Sequence, residues 1–109
     1  MIEYWKQIKG YEQDYMISNL GKVASIKRRG FNLMFLSDHY KGYKNVCLWK
    51  DGIRRTFYVH RLVADHFVEG KNGIKNQVNH KNFKKKDNNY KNLEWVSSDE
   101  NYDHAYFLN

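Results

Sequence analysis

The feature that most constrains the fold is a change in hydrophobic spacing near residue 60. Before it, apolar and polar residues alternate in short segments separated by glycine or asparagine, as in VASI at 23–26 and YKNVCLW at 43–49. Such alternation between turn residues is typical of β-strands. In HRLVADHFV, residues 60–68, apolar residues recur at the spacing of a helix face. We therefore predict an α+β chain that begins with a small antiparallel β-sheet.

The first half contains five predicted strands in one sheet. Two flank a turn at Asn19-Leu20-Gly21, and Asp51-Gly52 is a hairpin signal because both residues tolerate a positive φ. The predicted strands lie within 15–27 (two strands), 31–36, 43–49 and 54–60.

The second half predicts a strand, a long loop, a strand and a helix. Val78 opens a short strand that carries Asn79 and His80, and LEWV, 93–96, has the alternation of a second strand with Trp95 in the core. Serine and acidic residues at 97–100 are typical of a helix start. We expect that helix to run to about residue 107, and we divide the chain into a β module, 1–58, and a ββα unit, 59–109.

Charge predicts a nucleic-acid partner. The 109-residue chain has a formal net charge of +7 and a sequence pI of about 9.5. Cationic side chains displace counterions from phosphates. The single cysteine, Cys47, lies in an apolar run and is expected to be a small core residue, and one cysteine cannot form an internal disulfide. With no membrane signature or signal peptide, we expect a cytoplasmic protein that binds no membrane and no small-molecule cofactor.

The segment VNHKNFKKKDNNYKNLEWVSSDEN, 78–101, combines one histidine with many amides. Histidine can act as a general base because its pKa lies near neutral pH. A divalent cation can act as a Lewis acid on a phosphate, and magnesium accepts oxygen ligands such as amide carbonyls while keeping several waters. The segment is therefore a candidate for metal-assisted phosphodiester hydrolysis.

This segment, with VNH, DNN, NLEW and EN in that order, resembles the HNH endonuclease family, and most closely its phage and intron-encoded homing branch. The upstream VHRLVADHF resembles the helix that precedes the motif in that branch. The opening YWKQIKGYEQDYMISNLGKVASIK resembles the nuclease-associated modular domain found N-terminal to such units. The resemblance covers roughly residues 3 to 105.

The resemblance implies a role for each matching position. His80 would be the general base, and Asn79 and Asn101 would hold one Mg2+ or Mn2+ ion. Asn92 would brace the histidine loop and orient the His80 ring. His104 is either an accessory group near the metal or phosphate, or a surface histidine. The family often has aspartate or histidine where this chain has Asn79, and a neutral amide holds a cation less tightly than a carboxylate.

Other polar residues have simpler expected roles. Asn88 and Asn89 are interpreted as turn residues, because asparagine bonds its own backbone and tolerates the left-handed region. His60 is expected to be structural. Double-stranded DNA is the expected partner, and the candidate phosphate contacts lie in three basic runs: Lys27, Arg28 and Arg29; Arg54 and Arg55; Lys84, Lys85 and Lys86.

The sequence thus predicts a metal-dependent homing-type endonuclease that nicks DNA or, as two copies, cuts both strands. By family resemblance the products would carry a 5′ phosphate and a 3′ hydroxyl. Two alternatives stay open, namely a catalytically weak or inactive DNA-binding module derived from such a nuclease, and an RNA-binding accessory domain. The sequence leaves open whether the chain is a monomer or a dimer.

Overall fold

The computed structural model describes residues 1–100, which form three antiparallel sheets around a central helix. The first sheet has four strands in chain order, and the second has three. The strands are β1 (Trp5–Gln7), β2 (Tyr15–Ser18), β3 (Val23–Ser25) and β4 (Asn32–Leu33) in the first sheet, and β5 (Ser37–Asp38), β6 (Lys44–Lys50) and β7 (Ile53–Tyr58) in the second.

The predicted antiparallel β-structure of the N-terminal half is confirmed, but it is divided between two sheets, because the segment predicted as one strand over 31–36 passes from one sheet to the next. Its first part, β4, pairs with β3, and the chain then enters β5, which pairs with β6. Met34 and Leu36 pack against the core at this crossing, while Phe31, Leu33 and Phe35 are exposed. Strands β1 and β5 were not predicted. They are two or three residues long, which is too short to show alternation.

Helix α1 (Val59–Phe67) confirms the helix predicted for 60–68 and joins the two halves of the chain. It contacts β2, β6 and β7, which precede it in the chain. It also contacts two strands that follow it, β8 (Gln77–His80) and β9 (Leu93–Val96). One continuous core therefore underlies both halves, with Ile17, Leu48, Val63 and Leu93 all buried within it. Among residues 1–100, no helix is long and apolar enough to cross a membrane.

The C-terminal half has the predicted strand–loop–strand–helix order. Strands β8 and β9 pair with Asn79 opposite Glu94 and His80 opposite Leu93. Trp95 is buried beneath the hairpin, and its indole nitrogen donates to the Val68 carbonyl. A helix begins at Ser98. It is capped reciprocally, since the Glu100 amide donates to Ser97 Oγ and the Ser97 amide to Glu100 Oε1.

Candidate active site

His80 lies at the end of β8, where two other aromatic side chains contact its ring. The ring is only 5% exposed. The Tyr43 ring lies 6.0 Å away at an interplanar angle of 27°, and the His60 ring of α1 lies 5.0 Å away. The imidazole is therefore held between the second sheet, the helix and the β8–β9 hairpin.

Asn88 determines which nitrogen of His80 carries the hydrogen. The His80 Nε2 atom lies 2.8 Å from Asn88 Oδ1, and the two residues are 5% exposed. An amide oxygen can only accept a hydrogen bond, so Nε2 is the protonated nitrogen and Nδ1 keeps its lone pair. In this tautomer Nδ1 is free of hydrogen and can accept a proton, as a general base must.

This contact corrects two sequence expectations. Asn88 is not a simple turn residue, and the hydrogen-bond partner of the His80 ring is Asn88, which accepts from it, instead of the expected Asn92. Asn89 does have the expected turn role, because its side chain accepts from the Lys91 amide at 3.1 Å. Nothing in the sequence run DNN distinguishes the first asparagine from the second, so only the tertiary packing reveals Asn88.

Asn92 braces the loop that follows His80. Its side-chain oxygen accepts from the Asn82 amide at 3.0 Å, and its side-chain nitrogen donates to Asn82 Oδ1 and to the Asp87 carbonyl, both at 2.9 Å. Asn82 in turn donates to Asp87 Oδ2 at 2.7 Å. The loop from 81 to 89 is thus closed by side-chain hydrogen bonds at its base, next to Asn88.

The first sheet supports Asn88 from outside the ββα unit. Gly21, in the β2–β3 turn, has φ +91°, and a Cβ placed there would meet Asn88 Cβ at 2.8 Å. Beside it the Tyr90 amide donates to the Asn19 carbonyl at 2.8 Å. The glycine was predicted from turn chemistry alone, and its close approach to an active-site residue was not.

Burial keeps the histidines of the site neutral. Burial, together with the nearby His80 and Arg61, lowers the pKa of His60 to about 3. Burial also lowers the pKa of His80. The Asn88 hydrogen bond and Asp87 oppose that shift, and Lys85 adds to it. A neutral imidazole at His80 is the form that can accept a proton near pH 7.

The side chain of Asn79 has the chemistry of a weak metal ligand. The residue is 8% exposed, and its side chain forms no hydrogen bond with the other described residues. Residues 1–100 contain no cluster of three or more histidine, cysteine, aspartate or glutamate side chains that could hold a metal. A single amide oxygen fits magnesium, which completes its shell with water and phosphate oxygens. The predicted partners Asn101 and His104 lie outside the described residues.

The basic run 27–29 is an exposed turn. Lys27–Arg29 form a 3-10 turn, in which Arg28 and Arg29 have positive φ values of 55° and 58°. The Lys27 ammonium lies 4.9 Å from the Tyr15 ring centroid. The two guanidinium groups are thus presented to solvent by a left-handed backbone that non-glycine residues seldom adopt.

Arg54 and Arg55 point to opposite faces of β7, because adjacent strand residues alternate. Arg54 donates to Cys47 Sγ at 3.1 Å on the outer face. Arg55 pairs with Leu48 and lines a cavity of about 440 Å³ together with Lys9 and Lys50. Cys47 is partly exposed on the outer face and is not the core residue that its apolar surroundings suggested.

The three lysines at 84–86 also have different surroundings. The Lys85 ammonium donates to the Lys41 carbonyl at 2.9 Å, and the Lys86 ammonium lies 3.4 Å from Asp38 Oδ1. Lys84 is exposed. Two members of this predicted DNA-contacting run are therefore also tied to the second sheet.

The chain matches known proteins along most of its length. Residues 3–49 match the family model described as the NUMOD4 motif. The chain is 45% identical over 95 residues to DNA endonuclease I-HmuI of Bacillus phage SP01, covering 85% of this chain and 52% of that protein. It is 41% identical over 105 residues to the uncharacterized HNH endonuclease L245 of Acanthamoeba polyphaga mimivirus, covering 96% of this chain and 30% of that protein.

A solved structure of the HNH homing endonuclease I-HmuI, which concerns DNA binding and cleavage by that enzyme, superposes with a TM-score of 0.84. The sequence identity is 39%, with 96% of this chain and 59% of that chain covered. In sequence and in fold the chain is therefore similar to HNH homing endonucleases. Among the proteins that it resembles is I-HmuI, of whose length it spans about half, and its N-terminal part matches the NUMOD4 motif.

Proposed function

We propose that this chain hydrolyses a phosphodiester bond of double-stranded DNA, with His80 as the general base. The observation that carries this proposal is the 2.8 Å contact from His80 Nε2 to Asn88 Oδ1, which leaves Nδ1 unprotonated. From that position Nδ1 takes a proton from the attacking water. The similarity to HNH homing endonucleases, among them I-HmuI, whose structure concerns DNA cleavage, supports the substrate class.

One divalent ion, Mg2+ or Mn2+, is proposed as the cofactor, held by Asn79 and Asn101. When bound, it supplies Lewis-acid stabilisation of charge on the phosphate and on the leaving oxygen. Asn92 holds the loop that carries Asn88, so its proposed contribution is to keep the base in place. The proposed products are a 5′ phosphate and a 3′ hydroxyl, and a single site per chain favours nicking.

The proposed DNA surface includes the exposed arginines of the 27–29 turn and Lys84. They are cationic, and the first two sit on a turn that projects from the first sheet. Arg54 and Arg55 cannot contact one face of the duplex together, because they lie on opposite faces of β7. The proposal therefore assigns at most one of them to the duplex that occupies the active site.

A plasmid-nicking assay with Mg2+ and with Mn2+ tests the proposal. Wild type should convert supercoiled plasmid to the nicked form, and His80→Ala should reduce the rate to background. His39→Ala is a matched control, because this histidine contacts Tyr40 and Tyr58 and not His80. Equal background cleavage by wild type and His80→Ala would refute the enzymatic function.

Asn79 supports a second candidate, a DNA-binding module with little or no catalysis. Asn79 directly precedes His80 on β8 and offers a neutral amide, and an amide binds a cation more weakly than a carboxylate does. Under this alternative the chain binds duplex DNA without metal and does not nick it. A gel-shift assay in EDTA beside the nicking assay separates the two candidates.

A further inference from the structure

The side chain of Lys85 turns toward the second sheet and packs across a turn. Its ammonium donates to the Lys41 carbonyl at 2.9 Å and lies 5.0 Å from the centroid of the Tyr43 ring. A Cβ placed on Gly42 would lie 3.2 Å from Lys85 Cδ, so the aliphatic part of the lysine also contacts this turn. Lys85 therefore contacts all three residues of the turn 41–43.

Tyr43 carries this contact to the active site. Its ring stacks on the His80 ring at 6.0 Å and 27°, and lies 4.8 Å from the His60 ring. The three residues Lys85, Tyr43 and His80 thus form a row in which each side chain packs on the next. The loop that begins after His80 returns through Lys85 to cover the tyrosine.

A second tie fixes the same loop to the second sheet. Asp38 of β5 accepts from Lys44 at 2.8 Å and from Lys86 at 3.4 Å. Lys86 lies directly after Lys85, so two consecutive residues of the loop are anchored on neighbouring parts of the second sheet. The ion pair of Lys86 with Asp38 therefore helps to keep Lys85 over Tyr43.

We infer that Lys85 and Tyr43 are positioning residues for the His80 base, and that they couple the second sheet to the active site. This inference rests on the proposed function. The hydrogen bond from Nε2 to Asn88 fixes one atom of the ring but permits the ring to tilt about that bond. The Tyr43 ring removes this freedom, and Lys85 holds the tyrosine by a cation–π contact and by packing.

Lys84 provides the matched comparison. The two lysines are adjacent in sequence, carry the same charge and are both exposed, and Lys85 differs in its contacts with the Lys41 carbonyl and the Tyr43 ring. Lys84→Gln and Lys85→Gln each remove one positive charge from the same loop. Both should raise the Kd for DNA and lower the salt dependence of binding. The cleavage rate at saturating DNA is expected to fall further in Lys85→Gln than in Lys84→Gln, because Lys85 is the one of the two that contacts Tyr43.

Single-turnover nicking at saturating DNA tests the inference. Lys85→Gln and Tyr43→Leu should lower the rate by about tenfold, because a small misplacement of a catalytic group is costly. Tyr43→Phe keeps the ring and should retain most of the wild-type rate. The inference is overturned if Lys85→Gln and Lys84→Gln give the same rate, or if Tyr43→Phe is as slow as Tyr43→Leu.

The NMR resonances of the His80 ring give a readout that does not require cleavage. They should shift in Lys85→Gln and Tyr43→Leu and stay in place in Lys84→Gln, because ring currents from Tyr43 depend on its position. Unmoved resonances in Lys85→Gln would overturn the inference, because Tyr43→Leu removes the ring current whether or not His80 moves. If wild type nicks no DNA, the proposed function fails, and the resonances still decide whether Lys85 and Tyr43 position His80.

Discussion

Gly21 approaches Asn88 so closely that an alanine at this position would place its Cβ 2.8 Å from Asn88 Cβ. Asn88 accepts the hydrogen bond from the His80 ring at 2.8 Å. A turn of the NUMOD4 segment, far from the HNH motif in sequence, thus supports the contact that sets the tautomer of the proposed base. The N-terminal segment therefore contributes to the site itself.

Gly21→Ala should lower both stability and nicking. The positive φ alone costs about 1–2 kcal/mol of unfolding free energy for a residue with a Cβ. The collision with Asn88 adds to that cost and should displace the residue that holds His80. Chemical denaturation and the nicking rate check these two effects.

Gly10→Ala is the control for Gly21→Ala. Gly10 has a similar φ of +85°, but nothing lies within 4 Å of a Cβ placed there. Gly10→Ala should therefore lose a comparable amount of stability from backbone strain and keep its nicking rate. Equal loss of nicking in both variants would show that the contact with Asn88 has no catalytic consequence.

Asn88→Leu should reduce nicking by about tenfold to a hundredfold, the effect seen when a residue that orients a functional histidine is removed. Leucine fills a similar volume but accepts no hydrogen bond, so His80 loses its preferred tautomer. Asn89→Ala is the control, because that side chain only caps the 3-10 turn Tyr90–Asn92. Its nicking rate should stay near that of wild type, and DNA affinity should be similar in both variants.

The elements around the site were predictable because their signals are local. The alternation in 93–96, the helical spacing in 60–68 and the serine before two acids each depend on a few neighbouring residues, and β9, α1 and the capped helix start confirm them. The division of the N-terminal strands between two sheets depends on pairing between distant segments. No local pattern encodes that choice.

The site was predictable only in part, for a similar reason. The motif resemblance singled out His80, which the structure shows to be buried. The two adjacent asparagines 88 and 89, however, have the same chemistry and different surroundings. Asn88 is buried against Gly21 and His80, whereas Asn89 caps a turn. The lysine run behaves in the same way, since only the folded chain shows that Lys85 packs on Tyr43. Side-chain direction in an irregular loop is a tertiary property.

His60 should make the folded state sensitive to acid. Its pKa is about 3 in the folded protein, against about 6.5 in an unfolded chain. Below pH 6.5 the unfolded state therefore binds more protons, and stability falls as the pH falls toward 3. Linkage gives a loss of about 2 kcal/mol at pH 5 from this residue. Chemical denaturation between pH 8 and pH 5 measures the loss.

His60→Phe tests the assignment of this pH dependence. Phenylalanine keeps a ring beside Tyr43, Tyr58 and His80 but cannot be protonated. Its stability should fall less steeply below pH 6.5 than that of wild type. Some dependence should remain, because burial also lowers the pKa values of His66 and His80. Identical slopes in the two proteins would show that His60 does not cause the acid sensitivity.

Asn79→Asp should strengthen metal binding and lower the Mg2+ concentration at which nicking is half-maximal. A carboxylate binds a divalent cation more tightly than an amide does, and the substitution keeps the length and shape of the side chain. Asn79→Ala should raise that concentration or abolish nicking. A titration of Mg2+ in the nicking assay, with isothermal calorimetry on DNA-free protein, measures both variants. If all three proteins gave the same Mg2+ dependence, Asn79 would not be a ligand, and the metal would have to be held without it.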